Sequence, residues 1–361
     1  GPKIEWVMQN NEEVRRGIEA GDVYFGTIDS WMIWKMSGGA AHVTDYSNAG
    51  CTLMLNQITL DYDEEMLKEL GIPRSILPEL RSSSEIYAYT DPKEFFGASV
   101  PIAGIAGDQQ AAAFGQGCLF EGMAKNTYGT GSFMILNTGK NYKGAHGGTF
   151  SDVLCGPKGD LQYGLEGMAN VSGAAIQWLR DGLGIISEAS ECEKFASAVE
   201  DNGGVYLVPA FTGLGAPYWD MYARGCIVGL TRGSGRAHIV RAALEGIAYQ
   251  VKDLLDAMEK DAGEPLSVLR VDGGASVNNF MMQFQSDILR KPIDRPKMVE
   301  TTAFGAAFLA GLAVGVWKDI GDIADIRESD RVFTPQMEAE EATALHKKWL
   351  RAVERAAKWE E

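Results

Sequence analysis

Histidine is scarce in this 361-residue chain: there are four, and no two are close in sequence. A histidine-built metal centre therefore finds no support. The five cysteines, Cys51, Cys118, Cys155, Cys192 and Cys226, are odd in number, scattered, and lack any Cys-x-x-Cys pair. They read as reduced thiols of a cytoplasmic protein, not as a disulfide frame or a zinc site. No apolar run approaches the roughly 20 residues of a membrane span, and no secretory leader is visible. Basic charge is outweighed, with 33 lysines and arginines against 49 aspartates and glutamates, a formal net charge of −16. That balance argues against nucleic acid, or an anionic membrane surface, as partner. A nucleotide stays open, because backbone amides and a metal ion hold phosphates without a basic patch. There is no repeat at a fixed period, which removes solenoid architectures.

What the chain has in abundance is glycine, 43 residues in a composition that is 45% hydrophobic. Such a sequence suits an α/β protein rich in tight turns, long enough for about two domains. It opens on Gly1-Pro2 without an initiator methionine, as a processed chain or a part of a longer one would. Helical spacing of Ile4, Val7, Met8, Val14 and Ile18 predicts one helix over residues 3–20. Residues 23–27 read as a strand, and 30–36 as a short helix capped by Thr27 or Asp29 and stopped at Gly38-Gly39. Helices are also expected over 61–70, from Ser234 or Gly235 to Lys260, and over 337–361. Strands are expected over 82–90 and 205–209, with a hairpin of 149–154 and 161–166 around Gly156-Pro157-Lys158-Gly159. Glycines between Gly115 and Gly122 mark a boundary, dividing the chain into domains 1–116 and 117–361.

Chemistry concentrates in residues 101–133. A short apolar run ends in Gly107-Asp108-Gln109-Gln110, and an Ala-rich helix follows. A carboxylate where a strand gives way to a helix is well placed to act as a base or a magnesium partner. Next comes a strand, the turn Gly129-Thr130-Gly131, and a second strand. Such a turn lets backbone amides and one hydroxyl close on a phosphate. Two later segments share a pattern: Gly173 to Gln177 and Gly274 to Asn278, a glycine at a helix start with a carboxamide four residues on. An amide both donates and accepts, as an adenine edge or a ribose requires, and a helix start favours phosphate oxygens. Each feature alone is also an ordinary turn or helix start; their concurrence points to a nucleotide and phosphoryl transfer. Ser47 and Ser82 to Ser84 have no histidine at a telling position, so a serine hydrolase triad is unsupported. Trp178, Trp219, Trp317 and Trp349 read as core or rim residues, and Glu338 to Glu341 as a solvated helix face.

Several stretches resemble the FGGY carbohydrate kinases of the actin/hexokinase/Hsp70 ATPase superfamily. They are Asp108-Gln109-Gln110, Asn126-Thr-Tyr-Gly-Thr-Gly131, Ala174-Ala-Ile-Gln-Trp-Leu-Arg-Asp181 and Phe211-Thr-Gly-Leu-Gly-Ala-Pro-Tyr-Trp-Asp220. Arg270-Val-Asp-Gly-Gly274 and Glu300-Thr-Thr-Ala-Phe-Gly-Ala-Ala307 complete the set. The resemblance implies an α/β, actin/hexokinase-like (ribonuclease H-like) two-domain kinase. Its first domain is expected to be incomplete, because the similarity begins well inside the family's length, past its first phosphate loop and its substrate-gripping Arg-Glu pair and tryptophan. The resemblance further implies ATP and Mg2+ as cofactors. The motifs are those of the members that phosphorylate glycerol, as cytoplasmic homodimers or homotetramers, to sn-glycerol 3-phosphate. A related polyol or ketose, and an inactive ATP-binding remnant, are the alternatives. Carried over by position, Asp108 is implied as the general base and magnesium partner, and Gln109 and Phe133 join it in lining the substrate pocket. Gly129 and Thr130 are implied to hold the ATP phosphates, and Gly173, Gln177, Gly274 and Asn278 the adenosine. Asn48-Ala-Gly-Cys-Thr52 and Ser132 depart from the family pattern, and so does Glu94, where some members carry a regulatory histidine. A chain with half a domain missing is expected to be unstable or self-associating.

Overall fold

Asn11 splits the single helix expected over residues 3–20. The structure, a computed structural model, describes residues 1–156, 161–298, 300–324 and 326–360. In it α1 (Pro2–Asn10) ends before Asn11, which turns extended to cap α2 (Glu12–Ala20), its side chain accepting the Val14 amide at 3.1 Å. A short carboxamide competes strongly for helix-end amides, so the cap outweighs the continuity of the apolar stripe. Residues 23–27 form no strand; Phe25 donates its amide to Ile76, and one such bond makes no ladder. α3 (Ile28–Met36) starts after Thr27, but the Thr27 hydroxyl donates to the Asp29 carboxylate and caps no amide. It ends where Gly38 and Gly39 take positive φ, 64° and 86°.

β1 (Val43–Asp45) leads into α4 (Tyr46–Gly50), capped by Asp45. The helix expected from residue 61 starts later. Asp61 and Tyr62 instead form a strand, because β2 (Leu55–Asn56) pairs with β3 (Asp61–Tyr62), and Asp63 caps α5 (Glu64–Glu69). β4 (Glu79–Arg81) lies parallel to β1, and β5 (Ser84–Tyr89) antiparallel to β6 (Pro101–Gly104), which runs on to α6 (Asp108–Gly115).

A seven-stranded sheet organises the rest. β7 (Ala124–Tyr128) and β8 (Ser132–Gly139) form a hairpin about Gly129-Thr130-Gly131. β9 (Phe150–Leu154) and β10 (Gln162–Ala169) pair antiparallel, as read, while most of their connecting turn, from Pro157, lies outside the described residues. Next come α7 (Gly173–Asp181), α8 (Glu191–Ser197), the pair β11 (Tyr206–Val208) and β12 (Cys226–Val228), and α9 (Arg236–Ala262). The chain then returns through β13 (Leu269–Asp272), α10 (Asn279–Leu289), β14 (Ile293–Pro296) and α11 (Thr301–Ala313). It closes with α12 (Ile320–Ala324), β15 (Ser329–Phe333) and α13 (Ala339–Ala356). The strand order is β15-β14-β13-β7-β8-β10-β9, with β13 parallel to both β7 and β14.

Register assigns the faces, because residues paired across a sheet share a side and alternate along each strand. Tyr128, Met134 and Val271 face the main core, where α9 buries Ala243, Ile247, Val251, Leu254 and Met258, the stripe read from sequence. Trp349 of α13 is fully buried in the same core. The opposite face carries Lys125, Thr127, Phe133, Glu166, Asp152 and Asp272; it meets α6, and α11 reaches it through the Thr301 hydroxyl, which donates to Asp272. Those two helices cross at glycines. A Cβ on Gly305 would stand 1.8 Å from the Ala111 carbonyl oxygen, and one on Gly115 2.0 Å from that of Thr301. α11 also packs on β5 and β6, with the Ser84 hydroxyl donating to the Leu309 carbonyl at 2.7 Å. No helix among the described residues is long and apolar enough to cross a membrane.

Candidate active site

Asp108 is the first residue of α6, and its position is set from across the chain. The Gly107 amide donates to the Ser47 hydroxyl oxygen at 2.8 Å, and that hydroxyl donates to Asp45 at 2.6 Å. Asp45 is fully buried and also accepts from Asn48 and from the Ser83 hydroxyl, at 2.8 and 2.7 Å. Burial pushes its carboxyl above the usual range, and these hydrogen bonds oppose the rise. The start of α4 thereby anchors the start of α6. Asp108 itself is exposed, accepting the Gln109 amide at 2.8 Å and the Gln109 side-chain NH2 at 3.3 Å.

Beneath this pair lies a lysine that the sequence reading did not single out. Lys125, on β7, is fully buried, and its ammonium donates to the Gln109 side-chain oxygen. It donates also to the Thr127 hydroxyl at 3.0 Å and the Phe133 carbonyl at 3.4 Å. Burial pushes Lys125 below the ordinary lysine range, while Asp272, Glu166 and Asp108 pull it back. Glu166 is raised by burial and by Asp108, with Lys125 opposing. On the next strand Asp152 is raised to about 8, first by burial and then by Glu166, although Gln110 and the Val153 amide donate to it. Desolvation, followed by Asp152, Glu166, Asp108 and Asp45, pushes the Cys51 thiol up to about 12. Cys51 is therefore no nucleophile near neutral pH.

The turn Gly129-Thr130-Gly131, expected to hold phosphate, is built at the far end of β7. Gly129 and Thr130 form an exposed tip. Its carbonyls are engaged by α7: Gly173 donates to Gly129 at 2.9 Å, and Ser172 and Ala174 donate to Thr130 at 2.8 and 3.1 Å. The first amides of α7, expected to face phosphate, are thus spent on the turn. Gly173 serves there by close approach, since its Cβ would lie 2.6 Å from the Gly129 oxygen. Gly273, at φ 84°, has no room for a Cβ against the Tyr128 carbonyl, 2.5 Å away, which brings Gly274 beside the same strand end.

Gln177 is exposed one turn into α7, as read. Asn278 differs. A 3-10 turn (Gly274–Val277) intervenes, so Asn278 caps α10 and accepts the Met281 amide at 2.9 Å instead of lying a turn deeper on one helix.

Gly129, Thr130, Gly173 and Gly274 therefore meet at the ends of β7 and β13, while Asp108, Gln109 and Phe133 meet around Lys125, two positions into β7. Sequence reasoning missed Lys125, Glu166 and Asp152; it read residues 44–48 as a cap or site edge, and Asp45 caps α4. The available signal was period-two polarity in strands otherwise built for burial, as in Lys125-x-Thr127. Cavities of about 580 Å³ beside Trp178 and Phe211, and about 150 Å³ beside Phe304 and Arg327, do not include Asp108.

Residues 1–115 match the N-terminal domain of the FGGY family of carbohydrate kinases, and residues 124–314 its C-terminal domain. The chain belongs to this family. It is a phosphotransferase that uses ATP, with the α/β, actin/hexokinase-like (ribonuclease H-like) fold its motifs implied. Among individual proteins, it is 56% identical over 361 residues to the glycerol kinase of Alkaliphilus oremlandii, spanning 100% of this chain and 72% of that one. It is also 56% identical over 360 residues to glycerol kinase 2 of Thermotoga maritima, with the same two coverages. The crystal structure of Plasmodium falciparum glycerol kinase with ADP superposes with a TM-score of 0.93 at 38% identity, covering 98% of this chain and 71% of that one. A ligand-bound xylulose kinase from Lactobacillus acidophilus, 22% identical with a TM-score of 0.83, shares the fold.

Proposed function

We propose that this chain phosphorylates glycerol with ATP to give sn-glycerol 3-phosphate, with Asp108 as the general base. One observation carries the assignment: the hydrogen-bonded path Asp108–Gln109–Lys125–Phe133. It ties an exposed carboxylate to the hairpin whose tip is Gly129-Thr130. In this reading Asp108 takes the proton of the attacking hydroxyl as the hydroxyl oxygen bonds to the γ-phosphorus and the bond from that phosphorus to the β–γ bridging oxygen breaks, releasing ADP. Gln109 and Phe133 bound the polyol. Gly129 and Thr130 hold the phosphates, and Gly173, Gln177, Gly274 and Asn278 line the nucleoside side. Positioning and charge neutralisation account for most of the rate, as phosphoryl transfer generally requires.

Among the described residues no group of three or more His, Cys, Asp or Glu forms a metal cage. Magnesium prefers one or two carboxylates completed by phosphate oxygens and water, so the single exposed Asp108 suits it. When bound there, the ion neutralises phosphate charge. The division at residues 116 and 117, with a cleft closing between the parts, belongs to the same proposal. So do the cytoplasmic setting and a homodimer or homotetramer.

ADP release by this chain, with and without glycerol, is the direct test. Asp108→Asn is expected to lower glycerol-dependent turnover by about 10²–10⁴-fold, the usual worth of a general base, and to leave ATP affinity unchanged. Turnover that survives this change sinks the base assignment. ATP binding without any glycerol-dependent release would make the chain a nucleotide-binding module, and release with another polyol alone would change the substrate and keep the chemistry.

A further inference from the structure

Lys125 has a role that neither the family motifs nor the proton transfer accounts for. An ammonium group has three hydrogens to donate and no lone pair with which to accept. All three have partners here: the Gln109 side-chain oxygen, the Thr127 hydroxyl and the Phe133 carbonyl. Nothing is left over for a substrate or a phosphate, so Lys125 does not act by touching either. Its contact with Gln109 has a definite sense. A donor-only group can meet a carboxamide only at its oxygen, which turns the NH2 end of Gln109 toward the cleft, where one hydrogen reaches Asp108 at 3.3 Å.

We infer that Lys125 is a positioning residue that sets the donor–acceptor polarity of the substrate pocket. It clamps Gln109 so that its NH2 presents a hydrogen to a hydroxyl oxygen of the bound polyol, beside the carboxylate that accepts a proton. An amide turned the other way would offer an acceptor next to an acceptor, and a hydroxyl could satisfy only one of them. This also accounts for a buried cation whose charge is opposed by desolvation. Its neighbours Glu166 and Asp272 share its face of the sheet, so the clamp is hydrogen-bonded and its lysine end is closed to water. The inference rests on the reading of Asp108 and Gln109 as the polyol site.

The test is a double-substitution cycle on the full chain, read by KM for glycerol, by ATP affinity and by NMR of the 15N-labelled Gln109 side-chain amide. Lys125→Met and Gln109→Leu are each expected to raise KM for glycerol about tenfold, the worth of one charge-assisted hydrogen bond. The pair together should do no more than either alone, because both break one contact. ATP affinity should stay within about twofold of the parent. Multiplying effects, or an equal loss of ATP affinity, would make Lys125 a packing residue and overturn the inference. Gln109→Glu covers the case in which Lys125→Met fails to fold. It keeps an acceptor for the ammonium and puts a second acceptor oxygen where the NH2 faced Asp108, so KM should rise while the fold, read by the melting temperature, is kept. A parental KM in Gln109→Glu would overturn the polarity. If the parent chain shows no glycerol-dependent turnover, the functional reading falls and the amide signals decide alone. Unchanged Gln109 resonances in Lys125→Met then refute the clamp, and displaced, exchange-broadened ones support it.

Discussion

Asp152 and Glu166 stand on adjacent strands of the site face, Asp152 opposite Gly164 and Glu166 opposite Phe150. Burial and mutual repulsion hold the Asp152 proton, lifting its carboxyl to about 8. A carboxyl raised in the folded state binds its proton more tightly there than in the unfolded chain. Its stabilising share is complete below the unfolded value near 4, and is lost as pH rises through the folded value. Asp152→Asn keeps the shape and removes the titration. The stability difference between variant and parent should therefore move in the variant's favour between about pH 5 and about pH 9, by more than about 1.4 kcal/mol, the worth of one unit. Urea unfolding across that range measures it, and a flat difference would mean that Asp152 is already ionised in the folded chain at the acid end of that range. Asp108 was legible in sequence because a turn announces it. Lys125, Asp152 and Glu166 were not, because strand register alone places them on one face, and register is a long-range property. Asp45 was readable as a cap within the polar run 44–48, but its partners Ser83 and, through Ser47, Gly107 are remote in sequence and were not.

Among the elements, the crossing of α6 and α11 governs how well Asp108, the proposed base, is held. α6 presents Asp108 at its first residue, and its far end rests on α11 through Gly115, Ala111 and Gly305. Gly305→Ala would put a methyl inside the Ala111 carbonyl, so the helices must part. The expected cost is about 1–3 kcal/mol, as for other overpacked contacts. It should appear as a lower denaturant midpoint with an unchanged slope, and as lower turnover at preserved ATP affinity. Parental stability in this variant would mean that the crossing relaxes freely. Strands and helices with strong local patterns were readable in advance: the long stripe of α9, the β7–β8 hairpin and the helix opening at Asp108. Failures came where a short polar side chain redirected the backbone. Asn11 ends one helix and caps the next, Asp63 delays α5 until after a strand pair, and Asn278 caps α10 where its spacing from Gly274 placed it one turn inside a helix. Capping is a local competition between side chain and backbone, and an apolar stripe does not record it.

At the scale of the whole molecule, apolar exposure and negative charge oppose each other. α3 is a nine-residue helix that buries only Ser30 and Ile33. It leaves Ile28, Trp31, Met32 and Trp34 exposed, Ile28 at 73% and Trp31 at 55%. Phe96 is almost fully exposed at 96%, and Leu53 and Ile58 add to the apolar surface of the same third of the chain. Contiguous apolar surface favours association, whereas a net charge of −16 keeps copies apart. The balance is set by salt, because charge repulsion is screened beyond about 10 Å at 0.1 M and about 3 Å at 1 M, while the apolar attraction is not weakened. The chain is therefore expected to sediment as a smaller species in dilute buffer and to associate as salt is raised. Trp31→Lys with Ile28→Glu should move the onset of association to higher salt, removing apolar area at no cost in core packing. Sedimentation that does not change with salt, or two substitutions that leave the onset where it was, would mean that α3 does not drive association.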